Sequence, residues 1–359
     1  MTAEPSSFDT ARAWLETQTG RWVAGGIAAA LLLGTIGAAL VGWIAFGSNT
    51  PAYDGNRTVV VSGDAPLSAT VDSLEDAGIL ASATRFRWMA RATGWGEQVK
   101  TGHYAFAAGA SNYKLLDVLR RGLQTPVRLT IPPGSRPDVV ARVAASELEF
   151  DARAFRMALR DTSLARSLDT EPGRLFGYLM PETYEFYWQT PPKDVIRKIK
   201  RSFDRFYSRD IAAGADRLDL TKNDVLTLAS IVEWEALLDE EKPAIAGVYL
   251  NRLDQGWKLQ ADPTIQYVLI DENGSRVRRV LYKHLEIDHP YNTYRNPGLP
   301  PGPITNPAPS TVRAVVNAKD HDYMYFAADG TGGHAFAETH REHLRNARAY
   351  HRLLDQREE

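Results

Sequence analysis

Cysteine is absent from this sequence of 359 residues. Its absence excludes disulfide bonds, thiol nucleophiles and cysteine-ligated metal sites. A Gly-rich loop of the P-loop or dinucleotide-binding type is also missing, and no serine lies in a G-x-S-x-G elbow. An arrangement of serine, histidine and aspartate outside such an elbow stays an open alternative. The sequence lacks a charge excess too, since 42 basic residues face 44 acidic ones, and this balance predicts no nucleic-acid partner.

The histidines near the end of the chain do not match a known metal motif. His334, His340 and His343 lie close to Glu342 in sequence, but their spacing is not H-E-x-x-H. No cysteine can complete a zinc site beside them. We therefore expect no metal and no cofactor, which leaves chemistry performed by carboxylates.

Charged residues are also missing from one long stretch near the start. Residues 22–46 are uncharged, and these 25 residues exceed the roughly 20 that a helix needs to cross a bilayer. Trp22 and Trp43 lie near its ends, as interfacial aromatics do. A cleaved signal peptide is the alternative, but the run is long for one and no small-x-small cleavage site follows it. We expect an uncleaved membrane anchor.

The orientation of this anchor follows from the basic residues beside it. Arg12 and Arg21 precede the run, whereas Arg57 is the first basic residue after it. Because basic residues favour the cytoplasmic side, residues 1–21 are predicted to form a cytoplasmic tail. The rest of the chain is then extracytoplasmic.

Beyond the polar linker of residues 47–56, strand and helix patterns alternate, which indicates an α+β fold. The stretch most typical of a buried helix is residues 223–238, N-D-V-L-T-L-A-S-I-V-E-W-E-A-L-L. Glu233 and Glu235 interrupt this apolar run. Being two residues apart, they lie roughly 200° apart around a helix axis and face different surroundings. The apolar residues expected on the side of Glu233 are Leu226, Ala229, Ala236 and Leu237.

A carboxyl group in apolar surroundings can hold a proton near neutral pH, which a general acid requires. The alternative is that Glu233 and Glu235 pair with Arg or Lys, or reach solvent. Glu182 and Asp262 are further candidates. Asp262 precedes Pro263, and this pair has the form of a helix N-cap followed by proline at the first helical position. Capping alone therefore explains Asp262.

The loop of residues 291–309 is dense in proline, glycine and asparagine. A loop this long in a compact domain is more often functional than idle. It begins with aromatic and polar side chains that suit a sugar, because rings cover its apolar face and polar groups bond its hydroxyls: Tyr291, Asn292, Thr293 and Tyr294. A rigid structural loop is the alternative of equal weight.

Several motifs, in matching order and spacing, resemble those of the MltG (YceG-like) family of endolytic murein transglycosylases. They are L-A-S-I-V-E-W-E-A at 228–236, N-R-L at 251–253, L-Q-A-D-P-T-I-Q-Y at 259–267, P-Y-N-T-Y at 290–294, G-L-P-P-G-P-I-T-N-P at 298–307 and Y-F-A-A-D-G-T-G-G-H-A-F-A-E-T-H-R-E-H at 325–343. The resemblance covers the chain from the anchor to near its end.

The resemblance implies a specific domain organisation. It comprises a transmembrane helix at 22–46, a small LysM-like module at 57–124 and a larger mixed α/β catalytic domain at 125–359. It further implies a single-pass protein of the bacterial inner (cytoplasmic) membrane, with peptidoglycan glycan strands as substrate and peptidoglycan synthases as candidate partners. The catalytic domain would lie outside the cytoplasm.

The resemblance also implies one essential Glu, and the matching position is Glu233. Ser230, one helical turn earlier, is expected to hydrogen-bond it. The positions assigned to substrate binding are Ser230, Glu235, Gln260, Asp262, Thr264, Tyr291, Asn292, Thr293 and Tyr294. Two residues depart from the family pattern: Phe176 stands where Glu is usual, and His289 where Ser is common.

The implied reaction cleaves the bond between N-acetylmuramic acid (MurNAc) and N-acetylglucosamine without water and leaves a 1,6-anhydro ring. Since the sugar's own hydroxyl attacks, one carboxyl can act as acid and then as base. A hydrolase would need a second carboxylate, such as Glu182 or Asp262, beside Glu233. A membrane-anchored scaffold that binds peptidoglycan without cleaving it is the alternative from another functional class.

Overall fold

A computed structural model of the chain describes residues 12, 14–15, 17–63, 66–171 and 173–358. The predicted tail, residues 1–21, falls largely outside these ranges. The chain divides into two compact units, Met1–Pro126 and Val127–Glu359.

The first unit begins with a long helix, α1, at Gln18–Phe46. Thr17 caps it, since its side chain accepts a hydrogen bond from the Gly20 N–H. The helix starts before the predicted residue 22, and its 29 residues span roughly 43 Å at 1.5 Å per residue. By length and composition it can cross a membrane.

The rest of the first unit has strand and helix in the order β-α-α-β-α. The elements are β1 (Asn56–Val61), α2 (Leu67–Asp76), α3 (Ala83–Thr93), β2 (Gly102–Ala107) and α4 (Asn112–Arg121). The two strands pair antiparallel, with Val59 opposite Tyr104. Ser82 and Ser111 cap α3 and α4 through their side chains. The apolar faces of these elements meet in one core that includes Val61, Val71, Leu74, Phe86, Tyr104, Leu115 and Leu119.

The second unit begins with a small sheet covered by helices. The elements are β3 (Val127–Thr130), α5 (Pro137–Glu147), α6 (Ala152–Leu159), α7 (Thr162–Ser167) and β4 (Thr183–Phe186). The strands pair antiparallel, with Leu129 opposite Tyr184. Their inward side chains form a core with α5 to α7 that includes Leu129, Val140, Phe155, Leu164 and Tyr184.

A helical layer follows in the second unit. The helices are α8 (Pro192–Asp210), α9 (Ala212–Arg217), α10 (Lys222–Glu235), α11 (Lys242–Asp254), α12 (Asp262–Asn273), α13 (Tyr282–Leu285) and α14 (Pro309–Val316). The hairpin of β5 (Tyr325–Ala328) and β6 (His334–Ala337) then leads to the terminal helix α15 (His340–Glu358).

Helix α10 is the central element of this layer. Residues 225–232 are all buried, and α10 packs against α11, α12 and α14. Its first turn is fixed by a capping box between Thr221 and Asp224. The prediction of a central helix that is apolar nearly all round is confirmed.

Two expectations about helix ends are corrected. Helix α10 ends at Glu235 and not at residue 238, because Ala236 is extended and its chain neighbour Leu237 is 85% exposed. The N-cap of α12 is Ala261, one residue before the predicted cap, so Asp262 lies inside the helix and its carboxyl is free for other partners.

Candidate active site

Glu233 lies in the last turn of α10, and its side chain is only 9% exposed. Its Oε2 accepts a hydrogen bond from the Ala308 N–H at 3.1 Å and one from the Thr311 hydroxyl. The Lys242 ammonium lies 3.5 Å from the same oxygen. Within the described part of the chain Oε1 accepts no hydrogen bond, so it is the oxygen left for another molecule.

The first of these donors belongs to the start of α14. Ala308 is the N-cap of this helix, and Pro309 occupies its first position. Helix N-termini carry unpaired N–H groups and a partial positive charge, which attract a carboxyl group. Thr311 lies in the first turn, so backbone and side chain of one helix end both bond Glu233.

Lys242 is the cation of the site. Its side chain is 7% exposed at the start of α11, and its ammonium lies 2.6 Å from Asp239. It also donates to the Thr311 hydroxyl at 2.8 Å. A buried ammonium needs such partners, because an unpaired buried charge is costly. Glu233, Thr311 and Lys242 therefore form one hydrogen-bonded network.

The apolar surroundings expected for Glu233 are not what the structure contains. Ala236 and Leu237, predicted on the same helical face, lie beyond the end of α10. The chain turns there through residues 239–241 and returns Lys242 to Glu233. The alternative reading, in which the carboxyl pairs with a cation, describes Glu233.

Glu235 lies in different surroundings, near Tyr249, Arg252 and Asp262. Burial, followed by the charge of Asp262, raises the pKa of Glu235 to about 7, against the opposing effects of Tyr249 and Arg252. The Tyr249 hydroxyl donates to its Oε2 at 3.4 Å. As the helical spacing predicts, Glu233 and Glu235 have different partners.

The predicted substrate residues divide into two groups. Ser230, Thr264, Asn292 and Thr293 are buried. The Ser230 hydroxyl donates to the Thr227 carbonyl and accepts from the Ile304 N–H at 2.9 Å, so its partners are not Glu233 but the helix itself and the long loop.

Thr293 holds the loop against the start of α12. Its hydroxyl accepts from the Ala261 N–H at 3.0 Å and lies 2.9 Å from that of Thr264. Asn292 donates to the carbonyls of Leu285 and Ile287. Since these groups are bonded internally, their observed role is to fix the loop, and contact with a substrate stays a prediction for them.

The second group is accessible. Gln260 and Asp262 are exposed, and Tyr291 and Tyr294 are half-buried. The Tyr294 hydroxyl donates to Asp262 at 2.5 Å, and the negative charges of Asp262 and Glu235 contribute to the raised pKa of this hydroxyl after burial. The structure thus brings Glu235, Asp262 and Tyr294 together.

His289 and Phe176, which depart from the family pattern, both have structural contacts. His289 Nδ1 accepts from the Tyr291 N–H at 3.2 Å, which shapes the turn before the loop. Phe176 is 7% exposed in a short 3₁₀ helix, Leu175–Tyr178. Glu182, a candidate partner for hydrolysis, is exposed immediately before β4.

Sequence reasoning missed the contacts by which Asn306 of the long loop holds the turn at residues 132–134. Asn306 is buried, and its side chain accepts from the Ser135 N–H at 2.7 Å. It also donates to the carbonyls of Pro132 and Leu179, both at 3.1 Å. Gly134 of this turn has φ +61° and accepts at its carbonyl from Trp234 Nε1 at 2.9 Å. The Pro132–Gly134 turn is thereby held beside Glu233.

Lys242, Ala308 and Thr311 were missed as well. Pro309 is a signal for a helix start, but only the folded chain places that start beside Glu233. The fold and the site together define a mixed helix-and-sheet protein whose candidate chemistry centres on carboxylates held by one buried helix.

Comparison with known proteins gives the family. The model of the YceG-like family matches residues 59–349, and the chain belongs to this family. The resemblance read from the motifs is confirmed.

Relatives with established names agree. Endolytic murein transglycosylase of Bacillus subtilis (strain 168) is 28% identical over 319 residues, covering 84% of this chain and 87% of the relative. Endolytic murein transglycosylase of Streptococcus pneumoniae serotype 2 (strain D39) is 31% identical over 304 residues and 76% of this chain. The match covers 54% of that longer relative, so the chain spans about half its length.

A solved structure has the same fold. The crystal structure of a yceG-like protein from Listeria monocytogenes matches with a TM-score of 0.57 at 27% identity. The match covers 82% of this chain and 99% of that one.

Proposed function

We propose that this chain is a membrane-anchored endolytic peptidoglycan lytic transglycosylase. It cleaves the bond between MurNAc and N-acetylglucosamine in glycan strands and leaves 1,6-anhydro ends. The names of the Bacillus and Streptococcus relatives support this activity. The observation that carries the assignment of the site is the hydrogen-bonded network of Glu233, Thr311 and Lys242.

Glu233 is the general acid and base in this proposal. Because Ala308, Thr311 and Lys242 all bond Oε2, a proton on this carboxyl resides on Oε1. From there it passes to the glycosidic oxygen as the bond breaks. The ionised carboxyl then accepts the proton of the sugar hydroxyl that closes the anhydro ring, while the donors on Oε2 stabilise its charge.

Glu235 has a different role. It lies with Asp262 and Tyr294 near the exposed Gln260, where aromatic and polar groups suit a sugar ring. We assign Glu235, Gln260, Asp262, Tyr291 and Tyr294 to binding the glycan. Its raised pKa makes Glu235 the rival candidate for the acid, and the comparison of the two variants in the Discussion decides between them.

The membrane anchor and the first unit complete the proposal. Helix α1 spans the inner membrane once, with the chain beyond it outside the cytoplasm. Residues 57–124 act as a LysM-like module that holds the glycan and performs no chemistry, since among its described residues no carboxyl group forms a network like that of Glu233. Catalysis resides in residues 125–359.

The experiment that tests this function uses the full chain in detergent and purified glycan strands, with products identified by mass spectrometry. Anhydro-ended fragments are expected. Fragments with reducing ends would instead identify a hydrolase, in which a second carboxylate activates water. Strands that are bound but left intact would support the non-catalytic scaffold.

A further inference from the structure

A pocket of about 240 Å³ in the second unit is rich in arginine. Its lining includes Arg136, Asp138, Arg156, Arg160, Tyr267 and Asp271. Phe176 also lines it and contributes no charge. Three guanidinium groups therefore meet two carboxylates, and the pocket carries an excess of positive charge.

The carboxylates of the pocket do not satisfy its arginines. Arg136 lies 3.6 Å from Asp138 and 3.8 Å from Asp271, and its Nη1 is buried without a hydrogen bond. Asp138 is shared, because Arg142 lies 3.0 Å from its other oxygen. Among the described residues, neither Arg156 nor Arg160 forms an ion pair. The pocket thus contains guanidinium groups whose charge is not balanced by a neighbouring carboxylate.

The backbone connects this pocket directly to Glu233. Gly134 accepts from Trp234 Nε1, and a Cβ atom built on Gly134 would lie 3.9 Å from the Cγ of Glu233. Arg136 is two residues further on, so its Cα lies at most about 7 Å from that of Gly134. A strand whose scissile bond is at Glu233 therefore has its substituents within reach of the pocket.

Guanidinium groups bind carboxylates through two parallel hydrogen bonds. The sugar rings of a glycan strand are neutral, and its carboxylates are on the peptides attached to the lactyl group of MurNAc. We propose that the pocket of Arg136, Arg156 and Arg160 binds a carboxylate of this stem peptide and selects peptide-bearing strands. This rests on the proposed function and adds a second recognition element to the same substrate.

The test measures binding apart from cleavage. The full chain carrying Glu233→Gln, which should not consume the strands, is titrated with intact strands, with strands whose carboxylates have been amidated, and with strands stripped of peptide. Intact strands should bind about tenfold more tightly than amidated strands, as expected for charge-assisted hydrogen bonds partly open to solvent. The preference should shrink as salt is raised.

Adding Arg156→Gln and Arg160→Gln should abolish the preference for intact over amidated strands. The matched control is Arg153→Gln, which removes an exposed arginine of the same helix, α6, outside the pocket. This control should keep the tenfold preference. Thermal unfolding of each variant checks that the fold is kept.

Three results would overturn the proposal: equal binding of intact and amidated strands, a preference that survives the double substitution, or stripped strands that bind as tightly as intact ones. The last result would mean that the lactyl carboxylate is recognised and not the peptide. Cleavage by the wild-type chain is measured separately. Anhydro products without a peptide preference would refute this inference and leave the proposed function intact. A peptide preference without anhydro products would support this inference and refute the proposed function.

Discussion

The hydroxyl of Thr311 bridges the two buried charges of the site, because it donates to Glu233 Oε2 and accepts from the Lys242 ammonium at 2.8 Å. Thr311 comes from the first turn of α14, whereas Glu233 is in the last turn of α10. The bridge fixes which oxygen of Glu233 is held and leaves the other for the substrate. Thr311 is thus a positioning residue in our account.

Thr311→Val tests this bridge, since valine keeps the shape and removes the hydroxyl. Leaving two buried polar groups without their partner should lower the turnover number by roughly tenfold to a hundredfold, with a smaller change in KM. Thr311→Ser restores the hydroxyl and should recover most of the rate. A Val variant with normal turnover, or a Ser variant as slow as Val, would contradict the positioning role.

The raised pKa of Glu235 predicts a stability that depends on pH. The pKa of Glu235 is about 7 in the folded chain against an ordinary value of 4.5, so the folded chain binds more protons than the unfolded chain between these pH values. Stability therefore falls as pH rises through this window. The loss approaches about 3 kcal/mol above pH 7, since one pKa unit corresponds to about 1.4 kcal/mol.

Glu235→Gln should remove this loss, because glutamine does not titrate. Thermal unfolding from about pH 5 to pH 8 should show the wild-type chain losing stability relative to the variant. Asp262→Asn should reduce the loss partly, because the charge of Asp262 contributes to the raised pKa after burial. If the stability of the wild-type chain and that of Glu235→Gln changed with pH in parallel, the raised pKa of Glu235 would not be the cause of the loss.

Asn306 should be the most sensitive polar residue of the long loop. Its side chain makes hydrogen bonds to Ser135, Pro132 and Leu179 in a fully buried position. Asn306→Ala leaves these groups unpaired and should lower the free energy of unfolding by about 2–4 kcal/mol. Asn317→Ala, which removes an exposed amide bonded to the Arg313 carbonyl, is the control and should cost under about 0.5 kcal/mol. Equal losses in urea unfolding would argue against this role of Asn306.

The orientation of the anchor can be tested in cells. Protease added to intact spheroplasts should digest the chain beyond α1, because that part of the chain is proposed to lie outside the cytoplasm. A cytoplasmic marker protein should survive the same treatment. Complete protection of the region after residue 50 would reverse the proposed orientation.

Periodicity and composition predicted the elements that depend on local pattern. The central position of α10 follows from its apolar residues. The end of α10 could not be predicted in this way, since Ala236 and Leu237 continue the apolar pattern. The turn that follows brings Lys242 to Glu233, a tertiary contact that a local pattern does not reveal.

The candidate site was predicted in part. Its carboxylates were found because charges in an apolar run stand out, but their partners were not: Glu233 has the Lys242 ammonium beside it, whereas Glu235 lies near Tyr249, Arg252 and Asp262. Thr311 and Asn306 were missed because a single hydroxyl in a helix or a single amide in a loop carries no pattern. Their roles arise from contacts between distant segments, as in the bond from Thr311 to Glu233 across 78 positions.

The central claim is that Glu233, and not Glu235, is the acid and base of the reaction. The most direct measurement is the rate of anhydro-product formation by Glu233→Gln and Glu235→Gln, compared at equal thermal stability. General acid catalysis contributes about 10²–10⁴-fold, so Glu233→Gln should lose at least about a hundredfold in turnover while still binding glycan. Glu235→Gln should lose less. Near-normal turnover in Glu233→Gln together with a large loss in Glu235→Gln would contradict the account and place the catalytic carboxyl on the opposite face of α10.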